Sequence, residues 1–127
     1  MKNNYLFFII VLFFCISCKT NKKSKLAIIE CKKEIDFGTI NTKDTIIKTF
    51  LIKNISSIPL IIKKVKTSCG CTVAKLKDSI IEKNNTTSII VSYIPKEDDI
   101  GKINKSIVIE SNTKNVFTVL YLKGNVK

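Results

Sequence analysis

Two thiols one residue apart, in Ser68-Cys69-Gly70-Cys71-Thr72, can pair with each other, pair with a distant cysteine, or bind a soft metal. A bridge from Cys69 or Cys71 to Cys31 would close a loop of about 40 residues and stabilise the fold by roughly 4 kcal/mol through chain entropy. A bridge between Cys69 and Cys71 would close about three residues and contribute roughly 1.6 kcal/mol before strain. Such a tight ring is expected to be strained and readily reduced, which suits a redox couple better than a staple. Gly70 would help either pairing by letting the backbone bend. As thiolates the two residues suit Cu(I) or half of a Zn site. The chain has no His and its one Met is Met1, so a mononuclear metal site would need Cys31, a partner chain or an exogenous ligand. Structural use is the first reading of the motif, with thiol redox and copper or zinc contact as alternatives.

Composition removes most other chemistry. Without His, no Ser-His or Cys-His nucleophile pair can form within the chain. Glu97-Asp98-Asp99, between Pro95 and Gly101, could touch a cation such as Ca²⁺, but three consecutive acids point different ways and lack an alternating ligand pattern. We read them as a solvated turn whose charge discourages edge pairing. The formal net charge is +12, yet every basic residue is Lys. The chain also lacks Trp and any basic stripe interleaved with aromatics, so nucleic acid is not an expected partner.

The N-terminus points to export. After Lys2, the uncharged run from Tyr5 to Ile16 is rich in Phe, Ile and Leu, as in a signal-peptide core. It is shorter than the about 20 apolar residues of a membrane-spanning helix. Cys15-Ile16-Ser17-Cys18 resembles a bacterial lipobox, with Cys15 where Leu is usual, and makes Cys18 the expected site of diacylation and the mature N-terminus. An uncleaved anchor and ordinary secretion are the alternatives. Acyl chains such as palmitate would hold the protein on a membrane, each buried CH₂ contributing roughly 0.8 kcal/mol. Residues 1–17 are thus a lipoprotein signal peptide, and residues 18–25 are the lipidated cysteine and a lysine-rich tether. Residues 26–127 form one domain, too short for two cores. Lys19, Lys22, Lys23 and Lys25 give the tether an attraction to anionic headgroups.

From Leu26 onward, short runs dense in Ile and Val are broken by Asn, Asp, Ser, Gly and Pro every eight to twelve residues. That rhythm is all-β. Strands are expected over 26–32, 45–53, 58–66, 72–76, 79–83, 87–94, 103–110 and 115–123. Alternation places Phe50, Ile52, Ile89, Val91, Tyr93, Ile107, Ile109, Leu120 and Leu122 on inward faces. Two sheets packed on those faces make a β-sandwich. Gly38 and Gly101 fit turns that need positive φ or close approach, and Gly124 fits a bulge. Phe37 is expected to plug the core.

Several segments follow one another in a familiar order. Asp36-Phe37-Gly38-Thr39-Ile40, Phe50-Leu51-Ile52-Lys53-Asn54, Pro59-Leu60-Ile61-Ile62, Ser68-Cys69-Gly70-Cys71-Thr72, Gly101-Lys102 and Lys123-Gly124-Asn125-Val126 together resemble the envelope family catalogued as domain of unknown function 1573. The resemblance covers roughly residues 28–126. Lys83-Asn84 stands where members often show Pro-Gly, and Ile55-Ser56 replaces a common Thr-Gly. It implies an immunoglobulin-like sandwich of seven to eight strands, related to the ASH/hydin group, in a Gram-negative bacterium, and brings no established activity. The expected protein is a lipid-anchored module of the cell envelope facing the periplasm, a binding or structural protein and not an enzyme. Its partners would be the membrane, through the anchor, and another envelope protein. A thiol-redox or copper-handling role through Cys69 and Cys71 is the alternative.

Overall fold

The computed structural model describes residues 26–127. The expected signal peptide, Cys18 and tether lie outside them. Nine strands follow in order: β1 (Ile29–Cys31), β2 (Glu34–Ile40), β3 (Ile46–Asn54), β4 (Leu60–Thr67), β5 (Thr72–Leu76), β6 (Ile80–Ile81), β7 (Thr86–Tyr93), β8 (Gly101–Ser111) and β9 (Phe117–Val126). They form a four-stranded sheet, β1-β3-β7-β5, and a five-stranded sheet, β2-β9-β8-β4-β6. The all-β sandwich is as expected, with a higher strand count. The difference lies at the N-terminal edge, where the expected strand 26–32 is shorter and a second strand, β2, follows it. β2 was not expected because Glu34, Asp36 and Gly38 interrupt its apolar pattern. It is held by pairing in parallel with β9, a long-range contact that no local propensity records.

Period-two alternation carries the core. Phe50, Ile52, Ile89, Val91, Tyr93, Ile107, Ile109, Leu120 and Leu122 are all essentially inaccessible to solvent, as their spacing requires. Burying each such side chain contributes about 1.5–3 kcal/mol. Phe37 joins them, its ring centroid 5.8 Å from that of Tyr93.

Gly38 (φ 79°) and Gly101 (φ 107°) have the backbone geometry expected of them. Gly124 corrects an expectation. The β8–β9 register runs without a break through Ile103↔Gly124, so it is no bulge. The irregularity is in β2, where the three-residue step from Asp36 to Thr39 matches a two-residue step from Lys123 to Asn125 on β9. Gly124 is needed for space instead, because a Cβ there would overlap the ring of Phe37.

Candidate functional site

The Cys69-Gly70-Cys71 segment links β4 to β5 and so carries the chain from one sheet to the other. Cys69 and Cys71 are joined as a disulfide with their Cα atoms 5.4 Å apart. Cys31 keeps a free thiol on β1, opposite Ile52, and packs half-buried against the core. A bridge from Cys31 to either cysteine is therefore not the arrangement adopted. Its residue faces the sandwich from the outer strand of the four-stranded sheet, while the pair lies at the β4–β5 turn.

Neighbouring strands and two threonines hold the loop. Ser68 exchanges hydrogen bonds with Ser106 of β8: its amide donates to the Ser106 carbonyl at 3.0 Å, and its Oγ accepts from the Ser106 amide at 3.2 Å. On the other side the Ile94 amide donates to the Cys71 carbonyl at 3.0 Å. The Thr67 hydroxyl lies 3.2 Å from the Cys69 carbonyl and 2.8 Å from that of Thr72, spanning the turn from inside. Thr72 is buried, with Oγ1 3.7 Å from Sγ of Cys69 and 3.9 Å from Sγ of Cys71. Cys69 and Cys71 are each half-buried, Cys71 packing against the core, and Gly70 is exposed with open space where a Cβ would stand. No neighbour needs the glycine.

The loop adjoins an apolar surface. Register places Ile47, Ser92 and Val73 in one row across β3, β7 and β5, and Thr49, Ile90 and Lys75 in the next but one, all on the outer face of the four-stranded sheet. Ile47 is 65 % and Val73 62 % exposed, and Leu51, Ile90 and Ile94 are exposed as well. β-Branched residues favour strands whichever face they occupy, so alternation alone does not mark these as a surface feature.

A polar cluster closes the same end of the core. Tyr93, opposite Thr72, donates from its hydroxyl to Oδ2 of Asp99 at 3.1 Å. Asp99 also accepts from the Lys96 amide at 3.1 Å and pairs with Lys105 Nζ at 3.3 Å. Lys105 takes an inward position of β8, between Ile103 and Ile107, with Nζ 5.4 Å from the Tyr93 ring centroid. Burial, then the bond to Asp99 and its negative charge, push the Tyr93 pKa up to about 12. Asp99 is held below the usual carboxylate range, chiefly by the Lys96 amide and further by Tyr93 and Lys105. The solvated turn expected at Glu97-Asp98-Asp99 is thus corrected at Asp99, whose partners turn it inward while Glu97 and Asp98 stay exposed. Among the described residues, no three His, Cys, Asp or Glu side chains converge as metal ligands would.

A second polar hub lies at the other end of the core. Asn54, just past the expected strand 45–53, is fully buried at the end of β3. Its Nδ2 donates to the carbonyls of Ile58 (2.7 Å) and Ile81 (2.9 Å), and its Oδ1 accepts from the amide (2.9 Å) and hydroxyl (2.6 Å) of Ser56. The neighbouring Ser56 was the available signal, since Asn followed two residues later by Ser is an Asx-turn pattern.

The architecture is an immunoglobulin-like sandwich with a short disulfide at one end. The chain belongs to the family described as "Protein of unknown function (DUF1573)", whose model matches residues 28–126. A protein of unknown function from Porphyromonas gingivalis W83 is similar in fold at TM-score 0.74 and 18 % identity, over 84 % of this chain and 50 % of that one. The chain thus spans half the length of that protein. The ASH/PapD-like domain 7 of human CEP192 aligns at TM-score 0.64 and 11 % identity, over 88 % and 92 % of the two chains. The secreted serine protease VesC of Vibrio cholerae aligns at TM-score 0.62 and 10 % identity, over 77 % of this chain and 23 % of VesC. At these identities the likeness is one of fold. No curated protein matches the chain.

Proposed function

We propose that this protein is a lipid-anchored binding module of a Gram-negative cell envelope, and not an enzyme, acylated at Cys18 and facing the periplasm. Its partner is another envelope protein, docked on the outer face of the four-stranded sheet beside the disulfide loop. The observation that carries the reading is the set of solvent-facing aliphatic residues Ile47, Leu51, Val73, Ile90 and Ile94, interspersed with Ser92, Thr49 and Lys75, since clustered exposed apolar groups among polar ones mark interaction sites. The lipid anchor is supported by the lipobox-like Cys15-Ile16-Ser17-Cys18.

A photo-crosslinking residue at position 73, compared with one at Lys66, tests the docking face in cells. A discrete adduct from position 73 that disappears with Ile47→Asp is the expected result. Equal labelling from both positions would sink it. Mass analysis of the peptide beginning at Cys18 checks the anchor separately.

The second reading is thiol redox. It is favoured by a disulfide that closes within three residues between half-buried cysteines flanking an exposed glycine, and on this reading the bond accepts electrons from a partner dithiol. Equilibration in graded thiol-disulfide buffers, followed by alkylation and intact mass, distinguishes the two. A pair that opens under mild reductant supports redox, whereas one that resists supports a structural bond. Copper or zinc bound by the reduced pair would appear as added mass in native spectra of a parallel sample left unalkylated.

A further inference from the structure

The end of the sandwich opposite the disulfide is where the tether joins the domain, and it is also apolar at its surface. The Ala27 amide donates to the Asn112 carbonyl at 2.9 Å and the Ile55 amide to the Ile28 carbonyl at 3.1 Å, so the first residues of the domain lie against the β8–β9 hairpin and the β3–β4 turn. Around that junction Phe117 is 61 %, Ile28 54 %, and Ile55 and Val116 each 45 % exposed. Ile61 and Ile80, paired across β4 and β6, continue the apolar rim, and Asn112 Oδ1 accepts from the Ile61 amide. Between Ile28 and the hairpin lies a depression of about 220 Å³ with Lys33 and Lys114 on its walls. Lys83 in the β6–β7 turn adds a third cation beside Glu82.

We infer that this pole rests on the anionic bilayer that carries the anchor, with Phe117, Ile28, Ile55 and Val116 entering the interface and Lys33 and Lys114 meeting lipid phosphates. The inference rests on the lipid-anchored reading for the position of the membrane. Residues 19–25, even fully extended, reach only about 25 Å, so the anchor keeps the start of the domain within about that distance of the bilayer. Their four lysines act on the same surface, each contributing about 1 kcal/mol close to it. Aliphatic and aromatic groups with Lys33 and Lys114 close by suit an interface where the apolar part is buried and the ammonium groups stay with phosphate, while Glu110, paired with Phe117 across the hairpin, keeps its carboxylate in water. β4 runs from this pole to the disulfide loop over eight residues, about 26 Å of strand, so the loop stands clear of the bilayer.

The chain has no Trp, so Phe117→Trp supplies a single fluorophore at the pole, with Val116→Trp as a second probe and Val73→Trp as the distal control. Each full-length variant is mixed with vesicles containing phosphatidylglycerol, with and without brominated acyl chains. The expected result is a blue shift and loss of emission on bromination at positions 116 and 117, with neither at 73. Solvent-like, unquenched emission at 116 and 117 overturns the inference, including the outcome in which a protein partner covers this pole instead. Mass analysis of Cys18 on the same preparations separates the two ideas. An acylated chain whose Phe117→Trp emission stays unquenched rejects the docked pole alone, and an unacylated chain whose Phe117→Trp emission is quenched rejects the anchor alone.

Discussion

The two ends of β4 solve the same problem with different chemistry. At Leu60 the strand emerges from the Asn54–Pro59 turn, which is held by one fully buried amide making four hydrogen bonds. At Thr67 it enters the disulfide loop, held by a covalent bond and threonine hydroxyls, with both cysteines half-buried and Gly70 between them exposed. The first arrangement has no access to solvent and no chemistry beyond its own satisfaction, so its role is structural. The second has strand contacts on both sides that position it without the S–S bond, through Ser68–Ser106 and Cys71–Ile94. A crosslink in a loop already held by hydrogen bonds adds little stability.

That contrast predicts a hierarchy of effects. Asn54→Ala removes four hydrogen bonds at once and leaves the Ile58 carbonyl with only the Ser56 hydroxyl, and we expect a loss of about 3 kcal/mol in urea unfolding. A loss below that of the cysteine variant would reverse the comparison. Replacing both cysteines, Cys69→Ser with Cys71→Ser, should cost only about 1.5 kcal/mol, the chain-entropy contribution of so short a ring. Thermal melts with and without reductant check the same value in the native chain.

Tyr93→Phe sharpens the comparison beneath the disulfide loop. It should cost about 1 kcal/mol at neutral pH, the net value of one hydrogen bond. The folded-state pKa of Tyr93 is raised from 10.0 to about 12, so its contribution is complete below pH 10 and disappears as pH rises through 12. Asp99 has the opposite sign: its folded-state pKa lies below the ordinary 3.8, so its contribution is present above that value and is lost as pH falls through the folded-state pKa. Unfolding of the parent and of Tyr93→Phe across alkaline pH should therefore converge, and a gap that widened there would contradict the assignment. The smallest effect is Gly70→Ala, within about 0.5 kcal/mol, because the position is exposed and has open space for a Cβ. Unfolding midpoints that coincide with the parent mean that the fold does not need Gly70, whereas a large shift makes it part of the fold.

Legibility followed the range of the interaction. Residues such as Phe50, Ile89 and Leu120 were readable as core because alternation repeats over every two residues of one strand. β2 was not, since its pairing partner β9 lies more than eighty residues away and its own pattern is charged. Lys105 escaped for a related reason. A lysine between two inward isoleucines reads as surface until Asp99 and the Tyr93 ring are brought beside it.

The sequence by itself determined the sandwich, its alternating core, the positive-φ glycines at 38 and 101, and the family to which the chain belongs. These depend on local period, on residues with few allowed conformations and on motifs in fixed order. Only the tertiary structure decided which cysteines pair, why Gly124 must be bare, that Asn54 and Asp99 face inward, and that the disulfide and the start of the domain stand at opposite poles. Each of those depends on which groups from distant parts of the chain come within a few ångströms, and no single stretch of sequence contains that distance.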